Sequence, residues 1–220
     1  MNKALLAIIL TTTLLAHSLQ AEELVEDFEK AELGEIGDQF MVIDGEFEVI
    51  QQEDNKVLKL PSDPLIECGL LFAKSTRSAT TVEGRVYAEK RGRRSFPRFA
   101  LGAHGVSGYK IRVVPAQKRV ELVFQDEVIA NAPFTWKSGE WCSLRLELSK
   151  DGDTPKLQAW AWMNNNGDTK APKDPILTHT GEAGTRSQGK PSVWGTPYSG
   201  KDILFDDLKA TWTPTPKKNN

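Results

Sequence analysis

The feature that most constrains this chain is a strict alternation between apolar and polar side chains over residues 140–150. One face carries Cys142, Leu144, Leu146 and Leu148, and the other carries Trp141, Ser143, Arg145 and Glu147. A period of two places successive side chains on opposite faces of a β-strand. Similar short runs recur about every 8–12 residues between turn signals, and no helical period is sustained. The pattern predicts an all-β sandwich of two antiparallel sheets.

The same alternation slips once near the end of the chain. Over residues 203–212 the apolar positions are Ile203, Phe205, Leu208, Ala210 and Trp212, so the period breaks at Asp206-Asp207. A break in a period of two predicts a β-bulge, which re-aims side chains. Two adjacent carboxylates at a bulge require a cation or a set of backbone donors.

Turn signals give two local predictions. Asp44-Gly45 stands between the apolar runs 40–43 and 46–50 and suits a type I′ turn, so we expect a hairpin there. Residues 164–190 are polar and rich in Asn, Gly, Lys and Pro, which predicts a long loop.

Residues 1–21 have the pattern of a secretory signal peptide. Lys3 precedes an apolar run from Ala4 to Ala16, and the small residue Ala21 can end the segment. The run is too short for a stop-transfer helix, so no membrane span is expected. We therefore expect a periplasmic or secreted protein with one β-sandwich domain at 22–213 and a disordered tail at 214–220. The formal net charge of −2 argues against a general nucleic-acid-binding protein.

Two cysteines would face an oxidising compartment after export. Alternation points both Cys68 and Cys142 toward the core. A Cys68–Cys142 disulfide would stabilise the fold by about 4 kcal/mol in the loop-entropy model. The alternative is two buried free thiols on strands that never meet, and the sequence leaves both open.

Three segments carry a resemblance to a known family. They are Gly108 to Val113 (Gly-Tyr-Lys-Ile-Arg-Val), Gly139 to Leu146 (Gly-Glu-Trp-Cys-Ser-Leu-Arg-Leu), and Gly189 to Leu208 with its Phe-Asp-Asp close. In this order they resemble the C-terminal half of concanavalin A-like, laminin-G-like jelly-roll domains of secreted bacterial proteins. That group includes domains named after 3-keto-disaccharide hydrolases. The chain departs from the pattern at Ser192 and in the 164–190 loop.

The resemblance implies a jelly-roll sandwich and a structural calcium between the first and last strands. Asp206 and Asp207 would be its ligands, with Glu29 as the acidic partner near the start. Calcium takes six to eight oxygen ligands, so these carboxylates plus carbonyls would serve. The alternative is that Asp207 accepts backbone amides at the bulge and Asp206 is solvated. Folds of this kind carry many functions, so function must be argued from the site.

A polysaccharide or glycan is the predicted partner. Trp160 and Trp162 share one face of strand 157–163, and aromatic planes can stack on the C–H face of a sugar ring. The predicted carbohydrate-binding residues on this and adjacent strands are Trp160, Trp162, Arg112, Arg145 and Tyr109. The alternative is that the Trp face packs under the 164–190 loop.

A basic turn offers a second way to bind a glycan. The cations are Lys90, Arg91, Arg93, Arg94 and Arg98. Clustered guanidinium groups can bind carboxylated or sulfated polysaccharide by bidentate pairing. The alternative is a solvated turn.

Catalytic patterns are weak. The Glu-x-Asp-x-x-Glu strand of laminarinase-type relatives is missing, and Glu121 and Glu147 each stand alone on their outward faces. His104 could act as a general base with Tyr109 or Arg112 nearby. The sequence thus favours an exported, non-catalytic carbohydrate-binding or cell-envelope interaction module. The alternatives are a glycoside hydrolase or polysaccharide lyase using Glu121, Glu147 or His104, and a structural envelope protein without a sugar ligand.

Overall fold

The computed structural model describes residues 20–164 and 170–214, and these residues form fifteen strands and one 3-10 helix. The strands are β1 (Glu22–Glu26), β2 (Met41–Asp44), β3 (Glu48–Gln52), β4 (Asn55–Leu60), β5 (Cys68–Leu71), β6 (Thr80–Ala88), β7 (Arg98–Ala103), β8 (Tyr109–Val114), β9 (Arg119–Phe124), β10 (Glu127–Pro133), β11 (Trp141–Asp151), β12 (Thr154–Met163), β13 (Leu177–Thr180), β14 (Ser192–Thr196) and β15 (Ile203–Trp212), with the helix at Pro115–Gln117. In the described part of the chain, no helix is long and apolar enough to cross a bilayer. Residues 1–19 of the predicted signal peptide and 215–220 of the predicted tail lie outside the described residues.

The strands form two antiparallel sheets that face each other. Sheet A has eight strands in the order β13-β12-β11-β6-β15-β4-β3, with β1 paired to β15. Sheet B has seven strands in the order β10-β9-β8-β7-β14-β5-β2. Consecutive strands often switch sheets, as β6 and β7 do. The predicted jelly-roll sandwich is therefore confirmed.

The core lies between the sheets and follows the alternation read from the sequence. On β11, Cys142, Leu144 and Leu146 are completely buried, and they pack with inward residues of sheet B such as Leu101 and Ile111. Each fully buried aliphatic side chain of this size stabilises the fold by about 1.5–3 kcal/mol relative to exposure. The outward-facing side chains of the same strands are therefore the ones available to contact a ligand.

The bulge predicted in β15 is present. Asp206 pairs with Arg85 and Lys209 pairs with Glu83, so β15 has one more residue than β6 between these pairs. Asp207 has a φ of +50°, and its N–H donates to the Asp206 carboxylate at 2.7 Å. Because of the bulge, the Asp206 side chain is buried and the Asp207 side chain lies at the surface.

Two local predictions are wrong. Residues 40–50 form no hairpin, because β2 joins sheet B through β5 whereas β3 joins sheet A through β4. Gly45 makes the crossing with a φ of +91°, and a Cβ there would lie 2.7 Å from the Cys68 Cβ. The 164–190 segment also contains a strand, since β13 pairs with β12.

Of the two alternatives for the cysteines, the structure shows the free thiols and no disulfide. Cys68 and Cys142 are both free and buried. Cys68 lies on β5 of sheet B and Cys142 on β11 of sheet A, so the two strands are never neighbours. Burial raises the pKa of both thiols, and the charge of Asp44 adds to the effect at Cys68. Both residues therefore act as small apolar core side chains.

Candidate functional site

The five predicted carbohydrate-binding residues do not form one site. Trp160, Trp162 and Arg145 lie together on the outer face of sheet A, whereas Arg112 lies on the outer face of sheet B. Tyr109 is in the core, where it is 2% exposed and stacks on Phe124 with a ring-centroid distance of 4.3 Å. The alternation around Tyr109 points it inward, so it cannot contact a ligand on either face.

The outer face of sheet A is a continuous polar and aromatic surface built by strand register. Ser143 on β11 lies opposite both Trp162 on β12 and Arg85 on β6. One pair further along, Arg145 lies opposite Trp160 and Glu83. Side chains at directly paired positions on one face lie close enough to interact.

Two of the indole rings on this face are covered by guanidinium groups. The Arg145 guanidinium lies 5.2 Å from the Trp160 ring centroid, and the Arg85 guanidinium lies 4.6 Å from the Trp141 ring centroid. These are cation–π contacts, worth about 0.5–1 kcal/mol at exposed sites. Trp160 is only 7% exposed, so its ring has little area left for a ligand.

Trp162 has a different environment. It is half-buried and borders a surface depression of about 180 Å³. The other polar residues around the depression are Glu83, Arg85, Ser143 and Asp207. We call this depression and its lining the Trp162 depression. It combines an aromatic ring with both donors and acceptors.

Buried donors without a hydrogen-bond partner are concentrated on the outer face of sheet A. Among the described residues, six buried side-chain atoms lack a hydrogen-bond partner, and four of them belong to this face. They are Trp162 Nε1, Asn164 Nδ2, Arg85 Nε and Arg145 Nε. A buried polar group left without a partner costs about 1–3 kcal/mol. All four atoms are donors; Arg85 Nε and Arg145 Nε face carboxylates, whereas Trp162 Nε1 and Asn164 Nδ2 remain for an oxygen acceptor of a ligand or of water.

The neighbours of three of these donors explain why they make no hydrogen bond. The Ser143 hydroxyl donates to Asn164 Oδ1 at 2.8 Å, which fixes the amide and leaves its NH₂ group without an acceptor. Arg85 Nε lies 2.8 Å from Asp207 Oδ2, an ion-pair contact without hydrogen-bond geometry. Arg145 Nε is 3.5 Å from Glu83 Oε1, and this distance is too long for a good hydrogen bond.

The predicted calcium site does not fit these residues. Asp206 Oδ2 accepts from Asn55 Nδ2 at 2.7 Å and from Arg85 Nη2 at 2.6 Å, and the same guanidinium pairs with Asp207. Glu29 accepts the Lys56 N–H at 2.9 Å. Within the described residues no three His, Cys, Asp or Glu side chains are grouped to hold a metal ion. A guanidinium supplies the positive charge that the resemblance assigned to calcium.

On the outer face of sheet B, Glu121 is held by two arginines. It is 1% exposed, and its Oε2 accepts from Arg112 Nε at 2.9 Å and from Arg112 Nη2 at 2.7 Å. Its Oε1 accepts from Arg119 Nε at 2.7 Å. Both oxygens are occupied, so Glu121 has no free oxygen for proton transfer. Glu147 on sheet A is likewise paired with Arg145.

Sheet B carries an aromatic–cation pair of its own, which was not predicted from the sequence. Lys110 is 3% exposed, and its ammonium lies 3.8 Å from the Trp194 ring centroid. Trp194 Nε1 donates to Ser192 Oγ at 2.8 Å, so the indole is fully satisfied. The inward position of Val193 was the signal that Trp194 faces outward. Because Lys110 covers the ring, this face presents no open platform.

His104 does not meet Arg112 or Tyr109. It is 2% exposed with a φ of +67°, and its Nδ1 lies 2.8 Å from Ser187 Oγ and its Nε2 3.0 Å from the Ser78 carbonyl. Burial lowers the pKa of His104 to about 4, against an opposing contribution from the Ser78 bond. The neutral ring is therefore a weak base that ties two loops to β7.

The Lys90–Arg98 turn stays largely in solvent. The Arg98 guanidinium lies 5.4 Å from the Tyr198 ring centroid, and Arg91, Arg93 and Arg94 are exposed. None of the five cations of this turn has an ion-pair partner within the described residues. The turn therefore carries its positive charge at the surface.

Two sheets in this order and connection form a jelly roll of the concanavalin A-like fold. The chain is similar to the carbohydrate binding module CBM66 from Bacillus subtilis, with a TM-score of 0.50 and 16% identity over 78% of this chain and 94% of that one. It is also similar to peanut lectin, with a TM-score of 0.56 and 10% identity over 90% of this chain and 100% of the lectin.

A third similar structure is lectin II from Ulex europaeus, with a TM-score of 0.56 and 8% identity over 87% of this chain and 97% of the lectin. No family model matches the sequence, and no curated protein matches it. Identities this low establish the fold, and the ligand must be argued from the site.

Proposed function

We propose that this chain is an exported, non-catalytic carbohydrate-binding module that holds its sugar at the Trp162 depression on sheet A. The observation that carries the proposal is the half-buried Trp162 ring with two buried donors that lack a partner, Trp162 Nε1 and Asn164 Nδ2, beside the carboxylates of Glu83 and Asp207. Sugar hydroxyl and ring oxygens are acceptors, and the indole plane offers apolar area to the C–H face of a pyranose.

The lining supports both directions of hydrogen bonding. Trp162 Nε1 and Asn164 Nδ2 can donate to sugar oxygens, while Glu83 and Asp207 can accept hydroxyl protons. Arg85 and Arg145 hold these acidic residues in place through ion pairs. A few convergent polar groups beside an aromatic surface are typical of small-molecule sites.

Three further observations agree with the proposal. Two of the similar structures are lectins and one is a carbohydrate binding module. The carboxylates of Glu121 and Glu147, which would serve a hydrolase, are paired with arginines. The first 21 residues have a secretory pattern, which supports export.

The test compares three variants for binding to immobilised polysaccharides. Trp162→Ala removes both the ring and its N–H, and we expect affinity to fall by about tenfold or more, the loss of one stacked ring with its hydrogen bond. Trp162→Phe keeps a ring without the donor and should lose less. Tyr198→Ala removes an aromatic residue that is 44% exposed elsewhere and serves as the matched control. Unchanged affinity in Trp162→Ala would overturn the proposed site.

A further inference from the structure

An open surface cavity lies at one end of the sandwich, away from the Trp162 depression. It has a volume of about 580 Å³ and sits where β11 ends and β6 begins. Arg77 comes from the loop before β6, Lys150 and Asp153 from the β11–β12 turn, and residues 184–188 from the segment before β14. We call it the end cavity.

The end cavity carries an excess of positive charge. Its charged residues are Arg77, Lys150, Arg186 and Asp153, three cations against one carboxylate. None of the three cations has an acidic partner within 4.0 Å among the described residues. Three segments far apart in sequence therefore bring three exposed cations together around a single carboxylate, Asp153, which leaves a net positive charge for an anion.

The loop that forms one wall is held rigidly by the backbone. Thr76 and Gly189 exchange two hydrogen bonds of 2.9 Å, the Gly184 N–H donates to the Asp153 carbonyl at 3.0 Å, and the Gly105 N–H donates to the Lys190 carbonyl at 2.8 Å. A Cβ at Gly189 would lie 2.5 Å from the Gly105 nitrogen. This close approach fixes the wall before any ligand arrives, which lowers the entropy cost of binding.

His104 positions one hydroxyl of this wall. Its Nε2 lies 3.0 Å from the Ser78 carbonyl, which can only accept, so Nε2 carries the proton and Nδ1 accepts from the Ser187 hydroxyl at 2.8 Å. Burial lowers the pKa of His104, and the nearby charge of Lys150 lowers it further. The imidazole is thus a neutral, buried support for Ser187.

We propose that the end cavity binds an anionic sugar unit, a mono- or disaccharide carrying a carboxylate or a sulfate. A volume of 580 Å³ falls within the roughly 300–1,000 Å³ of small-molecule sites. Guanidinium groups pair with carboxylate and sulfate in bidentate geometry, and Thr185, Ser187 and Gln188 can bond the hydroxyl groups. This site is separate from the Trp162 depression and does not depend on it.

The experiment is a set of calorimetric titrations of the full chain with glucose 6-sulfate, galacturonic acid, glucose and inorganic sulfate. We expect saturable binding of at least one of the two anionic sugars, weaker binding of inorganic sulfate and no binding of glucose. The stronger of the two anionic sugars identifies whether the substituent is a sulfate or a carboxylate. The double variant Lys150→Gln/Arg186→Gln should weaken that binding by about tenfold or more, since each charge-assisted contact is stronger than a neutral one.

A matched variant separates this site from general attraction to positive charge. Arg93→Gln/Arg94→Gln removes two equally exposed cations at the other end of the molecule and should leave the affinity within about twofold. Absence of saturable binding for both anionic sugars overturns the proposal, as does equal weakening in the two double variants. Inorganic sulfate binding as tightly as glucose 6-sulfate overturns the role of the sugar. Trp162→Ala should leave these titrations unchanged.

Discussion

Glu121 illustrates at the residue scale how a carboxylate can resemble a catalytic group in the sequence and be structural in the fold. The residue is buried, and its two oxygens are divided between Arg112 and Arg119. Removing one charge of a buried pair leaves the other without compensation. The two ion pairs therefore hold Glu121, Arg112 and Arg119 together, and Glu121 has a structural role instead of transferring protons.

Glu121→Gln should lower the free energy of unfolding by about 2–4 kcal/mol, because two guanidinium groups lose their counter-charge. Urea denaturation at pH 7 measures the change. Glu147→Gln is the control, since Glu147 is more exposed and should cost less than about 1 kcal/mol. A stable Glu121→Gln that abolishes release of a product from some polysaccharide would instead make Glu121 a catalytic carboxyl group.

His104 gives a prediction about pH. Its pKa is about 4 in the folded chain and near 6.5 in the unfolded chain, so the unfolded state takes up the proton first as the pH falls. Its contribution to stability is complete above pH 6.5 and is lost between pH 6.5 and 4. The loss amounts to about 3 kcal/mol for this shift.

The measurement is denaturation of the wild type and of His104→Asn at several pH values from 4 to 7. Asparagine has no proton to take up, so the variant should be less stable at pH 7 and its stability should change less across this window. Parallel pH curves for the two proteins would show that His104 does not titrate as its buried position requires.

At the scale of strands, Gly69 on β5 and Trp194 on β14 show why a small residue is needed on an outer face. The two residues are directly paired, and a Cβ at Gly69 would overlap the Trp194 ring. The ring in turn holds the Lys110 ammonium. Packing at the centre of sheet B therefore requires a residue without a side chain at position 69.

Gly69→Ala should destabilise the protein by about 1–3 kcal/mol, since overpacking forces the indole out of position. The matched experiment places the same change in a Trp194→Leu background, where the smaller side chain leaves room for the methyl group. Unfolding by urea should show coupling between the two sites. Strictly additive effects would mean that the ring is not what excludes a side chain at Gly69.

Many features of the strands could be predicted from the sequence, and the failed hairpin has a clear physical cause. Alternation correctly gave the inward face of β11, and its break at Asp206 gave the bulge. Alternation does not say which sheet a strand joins, because that depends on pairing with residues far along the chain. The hairpin at Gly45 failed for this reason, since its two arms pair into opposite sheets.

At the scale of the whole molecule, residues that were predicted to form one site lie on two different sheets, because alternation does not show which sheet a strand joins. Arg112 and Trp160 both point outward, and the sequence pattern of an outer face is the same on either sheet. Only the fold shows that one lies on sheet B and the other on sheet A. The unpaired donors around Trp162 and the end cavity arise from long-range contacts that no local pattern contains.

The sandwich thus presents three different surfaces. The outer face of sheet B is closed by ion pairs and by Lys110 over Trp194. The outer face of sheet A carries the Trp162 depression, and the end cavity carries the excess of cations. We therefore expect sugar recognition on sheet A and recognition of anionic groups at the end cavity.

The most direct test of carbohydrate binding is affinity electrophoresis of the chain from residue 22 onward. Native gels would contain neutral, uronic-acid or sulfated polysaccharide, each with calcium and with chelator. We expect retardation by at least one polysaccharide, equal with calcium and with chelator, and reduced in Trp162→Ala. Migration unaffected by every polysaccharide would contradict carbohydrate binding, and retardation that requires calcium would contradict the pairing of Asp206 and Asp207 with Arg85.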